Sequence, residues 1–176
     1  MRAVIFVVCL GSHLASASLA EADTFQSVDT FGLDVATVWE PANGDAFGAG
    51  PLFRVESFTT KMPSWLGLVA RWGMLIDSSD RVFSPIVVGA MVRPGLGGLY
   101  GTLEGGGTIA AVDTVDEMDE RRVDWTASAT LGYRLGGWDL HATALVGGLF
   151  ERTTWMFSLG RDFVRLDATI TRTMWP

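Results

Sequence analysis

Strand-period alternation runs through this chain in stretches too long for an ordinary soluble sheet. From Val123 to Tyr133 every second residue is apolar (Val123, Trp125, Ala127, Ala129, Leu131, Tyr133), while Asp124, Thr126, Ser128, Thr130 and Gly132 fill the positions between. Residues two apart on a strand share a face, so this segment has one apolar face and one small, polar face. Phe31, Leu33, Val35, Thr37 and Trp39 repeat the pattern, as do Leu66, Leu68, Ala70, Trp72 and Met74. Trp138, Leu140, Ala142, Ala144 and Val146 repeat it against Asp139, His141 and Thr143. The alternation predicts strands over 31–39, 50–58, 65–76, 82–93, 98–111, 123–134, 138–147 and 151–160. Pro94-Gly95-Leu96-Gly97-Gly98 and Gly136-Gly137 read as tight turns. Residues 40–49 and 77–81 read as polar or Gly-containing loops, and 112–122 as the longest charged loop. No internal repeat or linker divides the chain, which reads as one domain over 21–176.

Length decides what these strands can build. Soluble strands average about 5–6 residues, whereas a tilted strand crossing a bilayer needs about 9–11. Hydrophobic residues make up 48% of the chain and the mean hydropathy is +0.29, yet no apolar run approaches the roughly 20 residues of a spanning helix. Trp39, Trp65, Trp125, Tyr133 and Trp138 fall at or near strand ends, where an interfacial girdle belongs. The fold class expected is all-β: an antiparallel up-and-down transmembrane β-barrel of about eight strands. A count of ten stays open, because residues 164–176 alternate again (Val164, Leu166, Ala168, Ile170) after eight strands are already assigned. By parity Ala129 faces lipid and Thr130 the lumen. Eight strands leave an interior filled by side chains, so no wide pore is expected.

The first twenty residues read as a secretory signal. Met1-Arg2 is a short positive start, Ala3 to Leu10 an apolar stretch, and Ala15-Ser16-Ala17 and Ser18-Leu19-Ala20 end in small residues. Cleavage is expected after Ala20, with Ala17 or Ala22 as alternatives. The mature chain then has no cysteine and keeps His141 alone, which excludes disulfides and thiolate metal sites. Losing Arg2 from 13 basic residues leaves 12 against 20 acidic ones, a net charge of −8. That balance argues against nucleic acid as a partner. The expected address is the bacterial outer membrane, the expected partner membrane lipid, lipopolysaccharide included. No cofactor and no metal are expected, and the sequence leaves the oligomeric state open.

Phe83-Ser84-Pro85-Ile86-Val87-Val88, then Leu103 to Ala111, then His141-Ala142-Thr143 resemble, in order, strands of the lipid A 3-O-deacylases. These are eight-stranded outer-membrane barrels that remove an acyl chain from lipopolysaccharide. The resemblance covers roughly 82–160. It implies His141 as general base, Thr143 as nucleophile and Glu151 as the carboxylate orienting the base. Thr143 stands where that family has serine, and Ala144 where it has asparagine. Parity also turns His141 and Thr143 toward the lumen, whereas the family's site opens toward lipid. The reading favoured by the residues is therefore a barrel with a structural, surface-contact or envelope role, with a lipid A acyl-ester hydrolase as the alternative. A lumenal His141 is expected to bond Asp124 or Asp139. Asp113 to Glu120 holds five carboxylates but no cation-loop spacing, so it reads as solvated. Gly105-Gly106-Gly107 lies inside a strand and eases curvature there.

Overall fold

The structure, a computed structural model, describes residues 24–40, 46–78, 81–95, 98–114, 117–149 and 153–171. The expected signal segment lies outside these. Two compact units are distinguished. Gln26–Ala168 forms the barrel; the other unit joins Met1–Phe25 with Thr169–Pro176, and its described residues, 24–25 and 169–171, are all strand.

The strands are β1 (Thr24–Glu40), β2 (Ala46–Thr59), β3 (Leu66–Gly73, resumed at Leu75–Asp77), β4 (Arg81–Val92), β5 (Leu99–Thr114), β6 (Glu117–Leu135), β7 (Trp138–Gly147) and β8 (Thr154–Thr171). Each pairs with its chain neighbour, and β8 returns to β1, so the sheet closes as an eight-stranded antiparallel barrel. The pause in β3 has a local cause. Register is kept across it, from Trp72↔Ile86 to Leu75↔Phe83, which sets Gly73 opposite Pro85. Proline has no N–H to donate, and the Ser84 hydroxyl donates to the Gly73 carbonyl instead, at 2.8 Å. Between β6 and β7, Gly136 and Gly137 take φ of 57° and 83°, the pair of left-handed residues that a two-residue hairpin turn requires.

Several boundaries differ from the sequence reading. Most of 112–122 is strand: β5 runs to Thr114 and β6 starts at Glu117, paired through Val112↔Glu120 and Thr114↔Glu117 with an irregularity between Val112 and Thr114, while 115–116 lie outside the described residues. Residues 40–49 hold less connection than expected, since β1 ends at Glu40 and β2 begins at Ala46. The stretch after 160 is not an extra strand, because β8 is continuous from Thr154 to Thr171. This settles the count at eight.

The two faces sort as the alternation requires, with polarity inverted relative to a soluble protein. Outward side chains are apolar and bare: Leu103 is 72% exposed, Val123 71% and Leu131 64%. Inward positions hold Asp34, Arg54, Glu56, Arg71, Thr102, Glu104, Thr108, Thr130 and Asp139, all buried. Toward the end carrying the β1–β2 and β3–β4 connections, Ala36, Leu52, Leu75, Phe83, Ala110, Leu145 and Met156 close the lumen as an apolar cluster. Inward glycines make room for long partners. A Cβ on Gly132 would overlap the Tyr100 ring, whereas one on Gly105, outward, meets nothing within 4 Å. Gly132→Ala is therefore expected to destabilise the folded barrel by about 1–3 kcal/mol through overpacking, and Gly105→Ala to leave it nearly unchanged. Urea titration of the two refolded variants checks this contrast.

Candidate functional site

The polar lumen is organised around Arg54. Adjacent inward positions on β2 bring Arg54 and Glu56 to the barrel axis, where strands from both sides converge. The Arg54 guanidinium donates to Asp34 from Nε and Nη2, both at 3.3 Å, and to Asp162 at 3.1 Å from Nη2. Its Nη1 meets Glu56 and Asp139. Arg134 on β6 donates to Glu56 at 2.6 and 3.1 Å and to Asp139 at 2.9 Å. Arg93, just past β4, also donates to Glu56 and lies over the Phe58 ring, 4.1 Å from its centroid. The Tyr100 hydroxyl donates to Asp139 at 2.7 Å. Six strands and the end of β4 thus supply three guanidiniums, four carboxylates and a phenol to one network. Such clusters add little net stability over apolar packing, but losing one member leaves an unpaired buried charge.

A second, smaller group lies between this network and the apolar cluster. Arg71 on β3 pairs with Glu104 on β5 and donates to the Thr130 hydroxyl at 2.8 Å. Thr102 donates to Glu104, and the Thr130 and Thr143 hydroxyls meet at 2.9 Å. The parity reading of β7 holds here. His141 and Thr143 both point into the lumen, 2% and 1% exposed. Thr143 is engaged with Thr130, and neither ring nitrogen of His141 has a hydrogen-bond partner among the described residues. The imidazole sits 3.6 Å from Asp139 and 3.8 Å from Asp34. Asp139 is one of its two expected neighbours. Asp124 takes a different place, against Gly148 and accepting from its following backbone N–H. Glu151 lies outside the described residues. Of the three residues implied by the deacylase resemblance, His141 and Thr143 thus share the buried inward face of β7, each beside other neighbours.

The residues that the sequence reading missed are Arg54, Glu56, Arg71, Arg93 and Arg134. Their signal was present as charges at inward parity within long strands, which a lumen can hold only in matched sets. At the end where 60–65, 93–98 and 136–137 turn the chain, two open concavities of about 850 and 800 Å³ flank Arg93 and Arg134. The lumen therefore opens as a shallow mouth at one end and is filled by the network and the apolar cluster beyond it.

No protein-family model matches the chain, and no curated protein matches it. Among solved structures, a designed transmembrane β-barrel matches with a TM-score of 0.50 and 11% identity, over 76% of this chain and 95% of the design. The Yersinia pestis outer membrane protein Ail, in a phospholipid bilayer nanodisc, matches with a TM-score of 0.50 and 11% identity, over 76% of this chain and 99% of Ail. At such identities the likeness is one of fold: the chain, an eight-stranded closed barrel, is similar to β-barrel proteins that cross a membrane.

Proposed function

We propose that this chain is an exported bacterial outer-membrane barrel with a structural, surface-contact or envelope role and no wide pore. The observation that carries the reading is the outward face. Contiguous apolar patches above a few hundred Å² are unusual on soluble proteins, and here bare apolar side chains encircle the barrel on every strand from Leu33 to Leu159. Lipid resolves this, and ring closure satisfies the backbone there. Tyr133 and Trp125 mark two levels on β6, both exposed. At about 3.4 Å per residue and the roughly 40° tilt of such barrels they stand about 20 Å apart, close to the height of an aromatic-bounded belt. The short turns at 60–65, 93–98 and 136–137 would face the periplasm. The belt's partners are then membrane lipids, with lipopolysaccharide in the outer leaflet.

The signal segment belongs to the same reading. Fractionation of expressing cells is expected to place the protein in the outer membrane, with a mature N-terminus at Glu21 and heat-modifiable gel migration. Recovery as a soluble periplasmic protein would overturn the proposal.

The hydrolase alternative would make His141, Thr143 and Glu151 a site on lipid A. What speaks for the structural role instead is the burial of both described members inside the lumen, where an acyl ester has no approach. A hydrolase with a histidine base has no substitute for the one imidazole of the mature chain. His141→Ala is expected to leave the lipid A acyl pattern of expressing cells unchanged by mass spectrometry, while lowering the stability of the barrel. Loss of a deacylated species with the variant normally folded would establish the enzyme.

A further inference from the structure

One cation stands on the apolar outer wall. The outward positions of β6 from Val123 to Leu135, of β7 from Trp138 to Val146 and of β8 from Trp155 to Phe163 are apolar or aromatic with a single exception, Arg161, which is exposed. Register sets Arg161 directly across from Trp138, and Trp138 across from Leu135, two residues past Tyr133. The cation therefore stands at the Tyr133 end of the aromatic-bounded belt, where acyl chains give way to headgroups. Its guanidinium lies over the Trp138 ring, 5.4 Å from the centroid, and has no carboxylate partner among the described residues. The adjacent acids are turned away: Asp139 and Asp162 point inward and accept from Arg134 and Arg54. The indole thus covers one face of the guanidinium, and the N–H groups along its edge are left for an acceptor from outside the chain. Toward mid-membrane from Trp138, β7 presents Leu140 and then two small residues, Ala142 and Ala144. Ala142 has Phe157 beside it on β8, and Ala144 has Trp155. These exposed rings next to two alanines form one wall of a shallow apolar trough that leads to Arg161.

We propose that Arg161 and Trp138 bind the phosphate of one phospholipid, with an acyl chain along the trough at Ala142 and Ala144. The proposal rests on the membrane-spanning reading of the barrel. Charge and depth select the ligand. A guanidinium donates parallel hydrogen bonds to two phosphate oxygens, and at the edge of the hydrocarbon such a pair is screened less than in water. Free phosphate would satisfy the cation and leave the trough bare. A neutral glycolipid would cover the trough and leave the cation without an acceptor. A phospholipid meets both, because its phosphate and its chains lie on the two sides of the level that Trp138 marks.

The test uses the mature protein and two variants, purified in detergent. Native mass spectrometry with dioleoyl phosphatidylglycerol is expected to show a retained lipid on the parent and about tenfold weaker retention in Arg161→Gln, the scale of a hydrogen bond to a charged group. Arg161→Lys keeps the charge without the fork and should fall between. A dioleoyl galactolipid, with the same chains and no phosphate, should be retained by the parent no better than phosphatidylglycerol is by Arg161→Gln. In phosphatidylglycerol bilayers, solid-state NMR transfer from lipid phosphorus to guanidinium carbons should include a signal that Arg161→Gln removes. Equal retention of phosphatidylglycerol by parent and Arg161→Gln, or equal retention of the two lipids by the parent, overturns the proposal. So does a phosphorus-correlated spectrum that the substitution leaves unchanged. A parent that does not enter the bilayer overturns the proposal together with the membrane reading, whereas one that enters it and retains no phospholipid overturns the proposal alone.

Discussion

Replacing Arg54 by methionine is expected to destabilise the barrel more than any other single lumenal change. The guanidinium is 1% exposed and touches Asp34, Glu56, Asp139 and Asp162. Methionine fills similar length without charge, which leaves four carboxylates to share Arg93 and Arg134. Removing one partner from a buried ionic cluster costs about 3–5 kcal/mol, because the remaining charges stay desolvated and unbalanced. Arg54→Lys restores the charge but not the planar fork that reaches several acceptors at once, so it should recover only part of the loss. Urea titration of the refolded protein in detergent, followed by heat-modifiable migration, reads the order parent, lysine, methionine. Equal midpoints for parent and methionine variant would show that the network does not set lumenal stability.

Ala129→Arg should prevent assembly in a bilayer. Ala129 faces outward on β6, four residues from both Trp125 and Tyr133, and thus at the middle of the apolar belt. An arginine at mid-membrane depth costs about 2–4 kcal/mol, falling to about 0–1 near the interface. Val123→Arg, two residues beyond Trp125 and 71% exposed in the parent, is the matched control on the same face and should fold. Refolding yield into vesicles measures both. Thr130, the inward neighbour, is a poor control, although parity alone suggests it. It is 6% exposed and already bonded to Arg71, so a second guanidinium there has neither room nor a counter-charge. Comparable assembly of the Ala129 and Val123 variants would show that the belt is not in lipid.

What could be read in advance follows from what alternation encodes. Strands such as β6 and β7 were legible because lipid on one side and lumen on the other impose opposite chemistry at every step, and the same rule turned His141 and Thr143 inward. Beyond the belt the rule lapses. Asp113–Thr114 and Glu117–Arg122 were misread as loop because a strand standing in water can be polar on both faces, so charge no longer distinguishes strand from loop. The end of β8 was misread for a related reason. Outward apolar parity runs through Phe157, Leu159 and Phe163, then shifts to Val164 and Leu166, all of them exposed. Past Asp162 there is no lumenal network to hold the alternate face polar, and the change of phase imitates a new strand. The network around Arg54 was illegible because its pairings join distant parts of the chain, and only register brings Arg54, Asp139 and Asp162 together.

That dependence on register bears on how the chain finds its native pairing. Inward and outward alternation repeats every two residues, so a strand displaced by two along its neighbour keeps every apolar side chain in lipid and every polar one inside. The outer surface therefore cannot distinguish such a slipped ring from the native one. The lumen can: a two-residue slip of β7 would carry Asp139 away from Arg54, Arg134 and Tyr100 together, and a slip of β2 would part Arg54 and Glu56 from all their partners on other strands. The buried charges thus act as a checksum on assembly, silent about the identity of the fold and strict about its alignment.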